Sequence, residues 1–232
     1  MPDRYYSESL ILGDSVTLGG TEAHHLLHVM RATVGTRVVV FDGHGGEWSG
    51  EVAKLGRTEV EITLGEHHPT EREPTRKITL AVVLPKGDRQ RWLVEKCVEL
   101  GVPRLVPLTT EHGTKSASEP PAKLARYVVE ASKQCGRNRL MEIAAPVTWS
   151  EFVASTEVPS RLVAHPGGTP LSKCDFENTA ALVLAVGPEG GFSVAEIQLA
   201  ERSGWRVVGL GERILRIETA ALAVVAKLSS NT

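Results

Sequence analysis

In the last two thirds of the chain, short apolar runs alternate with amphipathic segments, and this alternation constrains the fold more than any other feature. A run such as ALVLAV at 181–186 has no polar position, which is typical of strands buried on both faces of a parallel sheet. The intervening segments carry helix signals: Asp88 as an N-cap, Gly101 as a stop, and Ser193 with Glu196 as a capping box. This order predicts an α/β domain whose helices cover a parallel sheet.

The first part of the chain has a different period. In TEVEITL, Val60, Ile62 and Leu64 alternate with polar residues, which indicates a strand with one face in a core. A glycine-rich turn at 42–46 joins two further strands as a hairpin. One helix is expected within TEAHHLLHVMR, with Thr21 as its N-cap. Several short strands and one helix predict a small barrel.

A polar segment separates these two regimes. HHPTEREPTRK, at 67–77, contains two prolines and has the composition of a linker. We therefore expect two domains, a β-barrel over residues 1–72 and an α/β domain over residues 73–232.

Charge is distributed unevenly along the chain, whose net charge is −2. Residues 1–73 hold 6 Lys or Arg against 12 Asp or Glu, a net −6. Residues 74–140 hold 13 against 6, a net +7, and residues 141–232 hold 7 against 10, a net −3. The positive middle segment favours a polyanionic partner, and a solvated charged surface explains it equally well.

Composition argues against several classes of protein. No run approaches the roughly 18 apolar residues that span a bilayer, and the N-terminus lacks the apolar core of a signal peptide. The three cysteines are scattered, which predicts reduced thiols and a cytoplasmic location. Six of the eight histidines lie in the first 73 residues, but nearby cysteines or carboxylates do not complete a ligand set, so we expect no metal.

The stretch AVGPEGGFS at 185–193 is a glycine-rich turn between an expected strand and a capped helix. That arrangement often holds phosphate at a helix N-terminus. Here, however, the turn lacks a P-loop lysine and carries a carboxylate, Glu189, which would repel an anion. A neutral or cationic ligand, or one with ribose hydroxyls, fits better, and a purely structural tight turn stays an alternative.

A second glycine-containing loop follows the next expected strand. GLGERILRIETAA at 209–221 leads into a helix of small apolar residues. Two such loops at the carboxyl ends of successive parallel strands lie near each other, so together they predict one pocket. In the alternative reading, Arg213 and Arg216 are surface charges and Glu218 or Thr219 caps the helix.

A third element, KQCGRNRL at 133–140, places Lys133, Arg137 and Arg139 at a helix end. These cations suit phosphate contacts with a nucleic acid, or simply the negative end of the helix dipole. The loop TTEHGTKS at 109–116 adds Lys115 and hydroxyls after another strand.

The two glycine-containing motifs are also distinctive as a pair. GPEGGFS followed by LGERILRIETAA resembles the second and third motifs of SPOUT methyltransferases, and more narrowly those of the ribosomal RNA small subunit methyltransferase E family. The resemblance extends over nearly the whole chain, through RYY at 4–6, HHLLHVMR at 24–31, KGDRQRWLVEKCVELGV at 86–102 and EASKQCGRNR at 130–139. Cys135, Ile217 and the TEHGTKS loop depart from the family pattern.

This resemblance implies a trefoil-knotted α/β domain with a parallel sheet, preceded by a small PUA-like β-barrel that holds RNA. It implies a homodimer that binds S-adenosylmethionine and methylates N3 of a uridine in 16S rRNA, position 1498 in the usual rRNA numbering, on the 30S subunit. The alternatives are a SPOUT ribose 2′-O-methyltransferase acting on tRNA or rRNA, and a non-catalytic RNA-binding relative.

The resemblance also suggests roles for individual residues. The expected cofactor-binding residues are Gly187, Gly190, Gly191, Leu210, Gly211, Ile214, Leu215, Arg216 and Thr219. The expected catalytic residues are Arg216, which would stabilise the uracil oxygens, and Glu218 or Glu189, which would orient groups or take a proton; water is the alternative proton acceptor. The expected RNA contacts are Arg4, His28, Arg31, Lys86, Lys115, Arg137 and Arg139.

Overall fold

The computed structural model describes residues 3–113, 120–176 and 179–229. The chain divides into two compact units. The first consists of Met1–Glu73 and Val129–Leu140, and the second of Pro74–Val128 and Met141–Thr232.

The first unit is built on a five-stranded sheet in the order β1-β3-β4-β5-β2. Its elements are β1 (Arg4–Tyr6), β2 (Ser15–Leu18), α1 (Gly20–His24), a π-helical turn (His25–Val29), β3 (Arg37–Phe41), β4 (Glu47–Leu55) and β5 (Val60–His68). Strand β1 runs parallel to β3, whereas the other pairings are antiparallel.

The alternation in β5 fixes which face of this sheet is buried. Val60, Ile62 and Leu64 are buried and their polar neighbours are exposed, as the sequence predicts. The expected helix is present, but its cap was predicted wrongly. Gly19 is the N-cap, without a side-chain hydrogen bond, so Thr21 lies inside the first turn.

Glu47, at the start of β4, accepts hydrogen bonds from two guanidinium groups. Arg4 Nη1 lies 2.5 Å and Arg72 Nη1 lies 3.0 Å from its Oε2. Burial raises the pKa of Glu47, but the hydrogen bonds from Arg72, Arg4 and Asn138 outweigh burial and lower it to about 2. A carboxylate with a depressed folded-state pKa stabilises the fold above its ordinary value, 4.5, and this stabilisation is lost as the pH falls towards 2.

Glu47→Gln is therefore expected to flatten the fall in unfolding free energy between about pH 4.5 and pH 2, because the titrating group is gone. Denaturant unfolding at a series of pH values measures that slope. Glu51→Gln is the matched control, since Glu51 is an exposed carboxylate on the same strand. An equal slope in the wild type and in Glu47→Gln would contradict the prediction.

The second unit contains a parallel sheet in the order β12-β10-β11-β6-β7-β8, with β9 paired to β7. Its strands are β6 (Lys77–Val82), β7 (Arg104–Thr109), β8 (Glu142–Ile143), β9 (Val147–Thr148), β10 (Ser160–Pro170), β11 (Ala181–Val186) and β12 (Arg206–Gly209). Its helices are α2 (Asp88–Glu99), α3 (Pro121–Cys135), whose last part belongs to the first unit, α4 (Trp149–Ser155), α5 (Val194–Arg202) and α6 (Ile217–Ser229).

Every pairing of this sheet is parallel, and its central strands are buried. Leu80 of β6 and Leu184 of β11 have no exposed surface. The structure thus confirms the α/β unit that the apolar runs predict.

The helix ends follow the sequence signals with one exception. Ser193 and Glu196 form the predicted capping box, and Gly101 lies just beyond the end of α2 with φ 76°. Asp88 is the first residue of α2, whereas Gly87 is the N-cap, so the predicted cap was wrong by one position.

Helix α4 was not predicted. It begins after Thr148, which forms a capping box with Glu151. The pattern Thr-x-x-Glu before an apolar residue was present in the sequence as a signal for it.

Candidate active site

A cavity of about 300 Å³ opens at the carboxyl ends of β11 and β12, beside the middle of β10, which lies between them in the sheet. In a parallel sheet these carboxyl ends share one edge, which is where such folds bind ligands. The cavity is lined by Ala164, His165, Pro166, Val186, Gly187, Pro188, Glu189, Gly190, Gly191, Phe192, Leu210, Gly211, Arg213, Ile214, Leu215, Ile217 and Ala220.

The loop after β11 forms one wall of the cavity from bare backbone. Gly191 donates its N–H to the Pro188 carbonyl over 2.9 Å, and its φ of 72° lies in the left-handed region. A Cβ atom on Gly187 would approach the Phe192 ring to 2.9 Å, so that ring packs directly on the backbone.

Strands β10 and β12 approach each other closely beside the cavity. A Cβ on Gly168 would lie 2.7 Å from the Val208 carbonyl carbon, and one on Gly209 would lie 2.7 Å from the Gly168 carbonyl oxygen. Glycine at 168 and 209 therefore serves this backbone contact.

The loop after β7 is hydrogen-bonded to the glycine-rich loop that follows β11, at residues 187–191, and to the helix after it. Glu111 donates its backbone N–H to Glu196 Oε1 over 2.9 Å, and His112 Nδ1 lies 3.2 Å from the Gly191 carbonyl oxygen. The Glu196 carboxylate thus serves both the cap of α5 and this attachment.

Aromatic packing supports the same wall from behind. The ring centroids of Trp149 and Phe192 are 4.6 Å apart, and Trp149 Nε1 donates to the Glu196 carbonyl over 2.9 Å. Trp205 packs edge-on against Trp149 at 5.2 Å. The unpredicted helix α4 therefore holds a cavity-lining residue in place.

Two carboxylates lie close to one guanidinium at the cavity. Glu189 lines the cavity with 57% of its side chain exposed, and its Oε1 is 3.2 Å from Arg89 Nη1. Glu218 Oε1 is 3.9 Å from the same nitrogen, but its side chain is only 7% exposed. Its Oε2 is buried and has no hydrogen-bond partner among the described residues.

Seven of the nine residues predicted to bind a cofactor line this cavity, and Glu189 lines it too. Arg216 and Thr219 are exposed and are not part of the lining. The prediction missed the contribution of β10, Ala164 to Pro166, although a strand followed by Pro-Gly-Gly was visible there. It also missed Phe192, Ile217 and Ala220.

The predicted RNA contacts differ in their availability. Arg137 is 4% exposed and pairs with Glu73 at 2.7 Å, and Arg4 is 14% exposed and pairs with Glu47. A phosphate contact by either would require its ion pair to open.

The remaining RNA candidates are more accessible. Arg139 is half exposed and pairs with Glu71 at 2.7 Å. His28, Arg31 and Lys86 are exposed. Lys115 lies outside the described residues.

Residues 3–113, 120–176 and 179–229 contain no group of three or more His, Cys, Asp or Glu arranged to hold a metal ion. No helix in the described parts of the chain combines the length and apolar character needed to cross a membrane.

The sequence matches the family model of an RNA methyltransferase domain over residues 71–229 and that of an RNA methyltransferase PUA domain over residues 18–65. The ribosomal RNA small subunit methyltransferase E of Synechocystis is 34% identical over 95% of this chain and 74% of its own length. The protein of that name from Bacillus subtilis is 26% identical over 93% of this chain and 90% of its own.

Solved structures agree with the sequence matches. The ribosomal RNA small subunit methyltransferase E of Neisseria gonorrhoeae, bound to S-adenosylmethionine, superposes with a TM-score of 0.89 at 30% identity, covering 98% of this chain and 97% of that one. A methyltransferase of Legionella pneumophila in complex with the same cofactor gives 0.91 at 28% identity, with the same coverage. These matches confirm the predicted fold class, an α/β methyltransferase unit preceded by a PUA-like unit with a curled sheet. The chain belongs to the ribosomal RNA small subunit methyltransferase E family.

Proposed function

We propose that this protein transfers a methyl group from S-adenosylmethionine to N3 of a uridine in 16S rRNA, within the 30S subunit. The observation that carries the proposal is the cavity between the two glycine loops. Its lining combines bare backbone and apolar side chains with one carboxylate, Glu189, one guanidinium, Arg213, and the imidazole of His165. Because the turn after β11 carries Glu189 and no P-loop lysine, it suits a cationic nucleoside without phosphate better than a nucleotide.

The lining fits the parts of the cofactor. At about 300 Å³ the cavity lies at the lower end of the usual range for small-molecule sites. Leu210, Ile214 and Leu215 offer apolar contact for an adenine, and the backbone of Gly187 to Gly191 offers hydrogen bonds to ribose and amino acid groups. When bound, S-adenosylmethionine supplies an electrophilic methyl group on a sulfonium.

The acceptor chemistry requires a proton acceptor and a group that stabilises negative charge. Uracil N3 carries a weakly acidic proton, so transfer needs that proton removed and negative charge on the ring stabilised. Glu189 lines the cavity and is accessible, which favours it over the buried Glu218 as the group that faces the uracil. The enzyme must also take the uridine out of its stack to expose N3.

The cation that stabilises negative charge on the uracil is identified by substituting two arginines in turn and comparing kcat. Arg213 lines the cavity, whereas Arg216, which the sequence favours, does not. Arg213→Ala is expected to lower kcat by roughly 100-fold, the usual effect of removing one electrostatic stabiliser. Arg216→Ala is expected to lower it less. Steady-state methylation kinetics measure both, and the reverse order would restore the role that the sequence suggests.

An RNA contact at the same edge of the sheet is proposed for Lys86. This exposed lysine lies beyond the carboxyl end of β6, the strand next to β11. Lys86→Gln is expected to weaken RNA binding and to reduce the slope of log affinity against log salt by about 1. Lys77→Gln, exposed at the amino end of β6, is the matched control. Equal slopes for the two variants would exclude the contact.

We also propose a cytoplasmic homodimer. The family resemblance implies the dimer, and Ile214, which lines the cavity and is 88% exposed, supports it as a residue that a second subunit would cover. Analytical ultracentrifugation tests the assembly. A monomer at micromolar concentration would contradict it.

The decisive experiment is methylation of purified 30S subunits and of naked 16S rRNA, followed by mass-spectrometric mapping of the modified nucleotide. We expect one N3-methyluridine, formed on the 30S subunit. A 2′-O-methyl group on 16S rRNA, or on tRNA assayed in parallel, would instead identify a ribose methyltransferase. RNA binding without cofactor affinity or methyl transfer would identify a non-catalytic relative.

A further inference from the structure

A single guanidinium nitrogen lies between the two carboxylates of the candidate active site. Arg89 stands in the first turn of α2, and its Nη1 is 3.2 Å from Glu189 Oε1 and 3.9 Å from Glu218 Oε1. Three separate elements therefore meet at this nitrogen: α2, the glycine loop and the start of α6.

Glu218 needs a nearby cation because its carboxylate is taken out of water. Its side chain is 7% exposed, and its buried Oε2 has no hydrogen-bond partner within the described ranges. A buried carboxylate without compensation is strongly unfavourable. Its place in the first turn of α6 offers some compensation from the helix dipole, and Arg89 adds a full positive charge.

Glu189 has a different need. It is more than half exposed and stands on a loop, so its carboxylate would sample many orientations if it were not held. The Arg89–Glu189 pair is too exposed to stabilise the fold by more than about 1 kcal/mol. What the pair supplies is orientation, because it fixes one oxygen of a cavity-lining carboxylate relative to α2.

We propose that Arg89 is a positioning residue for the methyl transfer: it orients the Glu189 carboxylate at the cavity and balances the buried charge of Glu218. Arg89 is not itself part of the cavity lining, so it acts through Glu189. This inference rests on the proposed function and adds to it a residue that the two glycine motifs do not contain.

Arg89→Gln, Glu189→Gln and the double variant test the proposal on 30S subunits. Arg89→Gln is expected to lower kcat by roughly 10- to 100-fold, as misplacement of an active-site group does, while the cofactor Kd from calorimetry stays within about twofold. Arg89→Lys is expected to recover part of kcat because it keeps the charge. The double variant is expected to be no slower than Glu189→Gln, since coupled residues are not additive.

Arg91→Gln is the matched control. Arg91 lies on the same helix and makes an exposed ion pair with Glu95, away from the cavity lining. A wild-type kcat in Arg89→Gln, or losses that multiply in the double variant, would overturn the positioning role. So would a kcat loss in Arg89→Gln that is accompanied by an equally large loss of cofactor affinity. If Arg89→Gln does not fold, Arg89→Lys with Glu189→Gln completes the same cycle.

The wild-type reaction separates the two proposals. If the wild type methylates a different atom or RNA, the proposed function fails. The kcat values of the single and double variants are then compared on that acceptor, and they still test the role of Arg89. If it methylates uridine N3 but Arg89→Gln matches it, only the role of Arg89 fails. If the wild type transfers no methyl group to any RNA, both proposals fail.

Discussion

Gly191→Val is expected to reduce S-adenosylmethionine affinity by at least about 100-fold. Gly191 adopts φ 72°, and a β-branched residue there is strained by about 1–3 kcal/mol. The loop can relieve that strain only by giving up the turn in which Gly191 donates to the Pro188 carbonyl. Both residues line the cavity, so the backbone groups proposed to bind the cofactor would move. Isothermal titration calorimetry measures the loss.

The control for this substitution has the same strain at another place. Gly204 has φ 80°, follows the end of α5, and is not part of the cavity lining. Gly204→Val should lower the melting temperature as Gly191→Val does, but it should keep the cofactor affinity. Unchanged affinity in Gly191→Val would remove this loop from the cofactor site.

The strands and the shared cavity of the two glycine loops were predictable because their signals are local. The apolar run at 181–186 predicts a buried strand from the chain's own pattern, and the strand is present at Ala181–Val186. The glycine loops follow their strands in the sequence as they do in the structure, and parallel pairing brings them to one edge. A cavity built from consecutive strand ends was therefore predictable.

The contribution of β10 to the cavity depends on the order of strands in the sheet, which the sequence does not state. β10 lies between β11 and β12 in space although it precedes both in the chain. Its register shifts between Ala164 and Thr169, where His165 and Pro166 join the cavity lining. Neither the place of β10 in the sheet nor its register shift can be predicted from the hydrophobic periodicity of the sequence.

The ion-pair partners of the predicted RNA-binding residues could not be predicted either, because they are distant in the sequence and meet only in the fold. The cations at the end of α3 looked available for phosphate, but Arg137 and Arg139 pair with Glu73 and Glu71, more than 60 residues earlier in the chain. Local sequence cannot distinguish a helix end whose cations are free to bind RNA from one whose cations are paired with distant carboxylates.

The knotted path of the chain also cannot be predicted from sequence patterns, and only the family resemblance implies it.

Arg76→Met is expected to destabilise the second unit by about 3–5 kcal/mol. The substitution removes the buried hydrogen bonds that the charged guanidinium donates and leaves their carbonyl acceptors without a partner. Arg76 is 6% exposed and donates to three backbone carbonyls. Its Nε lies 2.9 Å from the Thr179 oxygen, its Nη1 2.6 Å from the Leu228 oxygen, and its Nη2 2.7 Å from the Phe176 oxygen. Leu228 is in the last turn of α6, where the helix dipole favours a cation.

Methionine keeps the length and apolar character of the side chain, so the loss isolates the guanidinium. Chemical denaturation should show the unfolding free energy of Arg76→Met lowered by about 3–5 kcal/mol. The melting temperature should fall by about 10 °C for a chain of this size. Lys77→Met, at the adjacent exposed position, should change stability by less than about 0.5 kcal/mol. Arg76→Lys should fall between the two, since one ammonium cannot reach three carbonyls spread over two segments. A loss below about 1 kcal/mol in Arg76→Met would mean that water satisfies these carbonyls as well as arginine does.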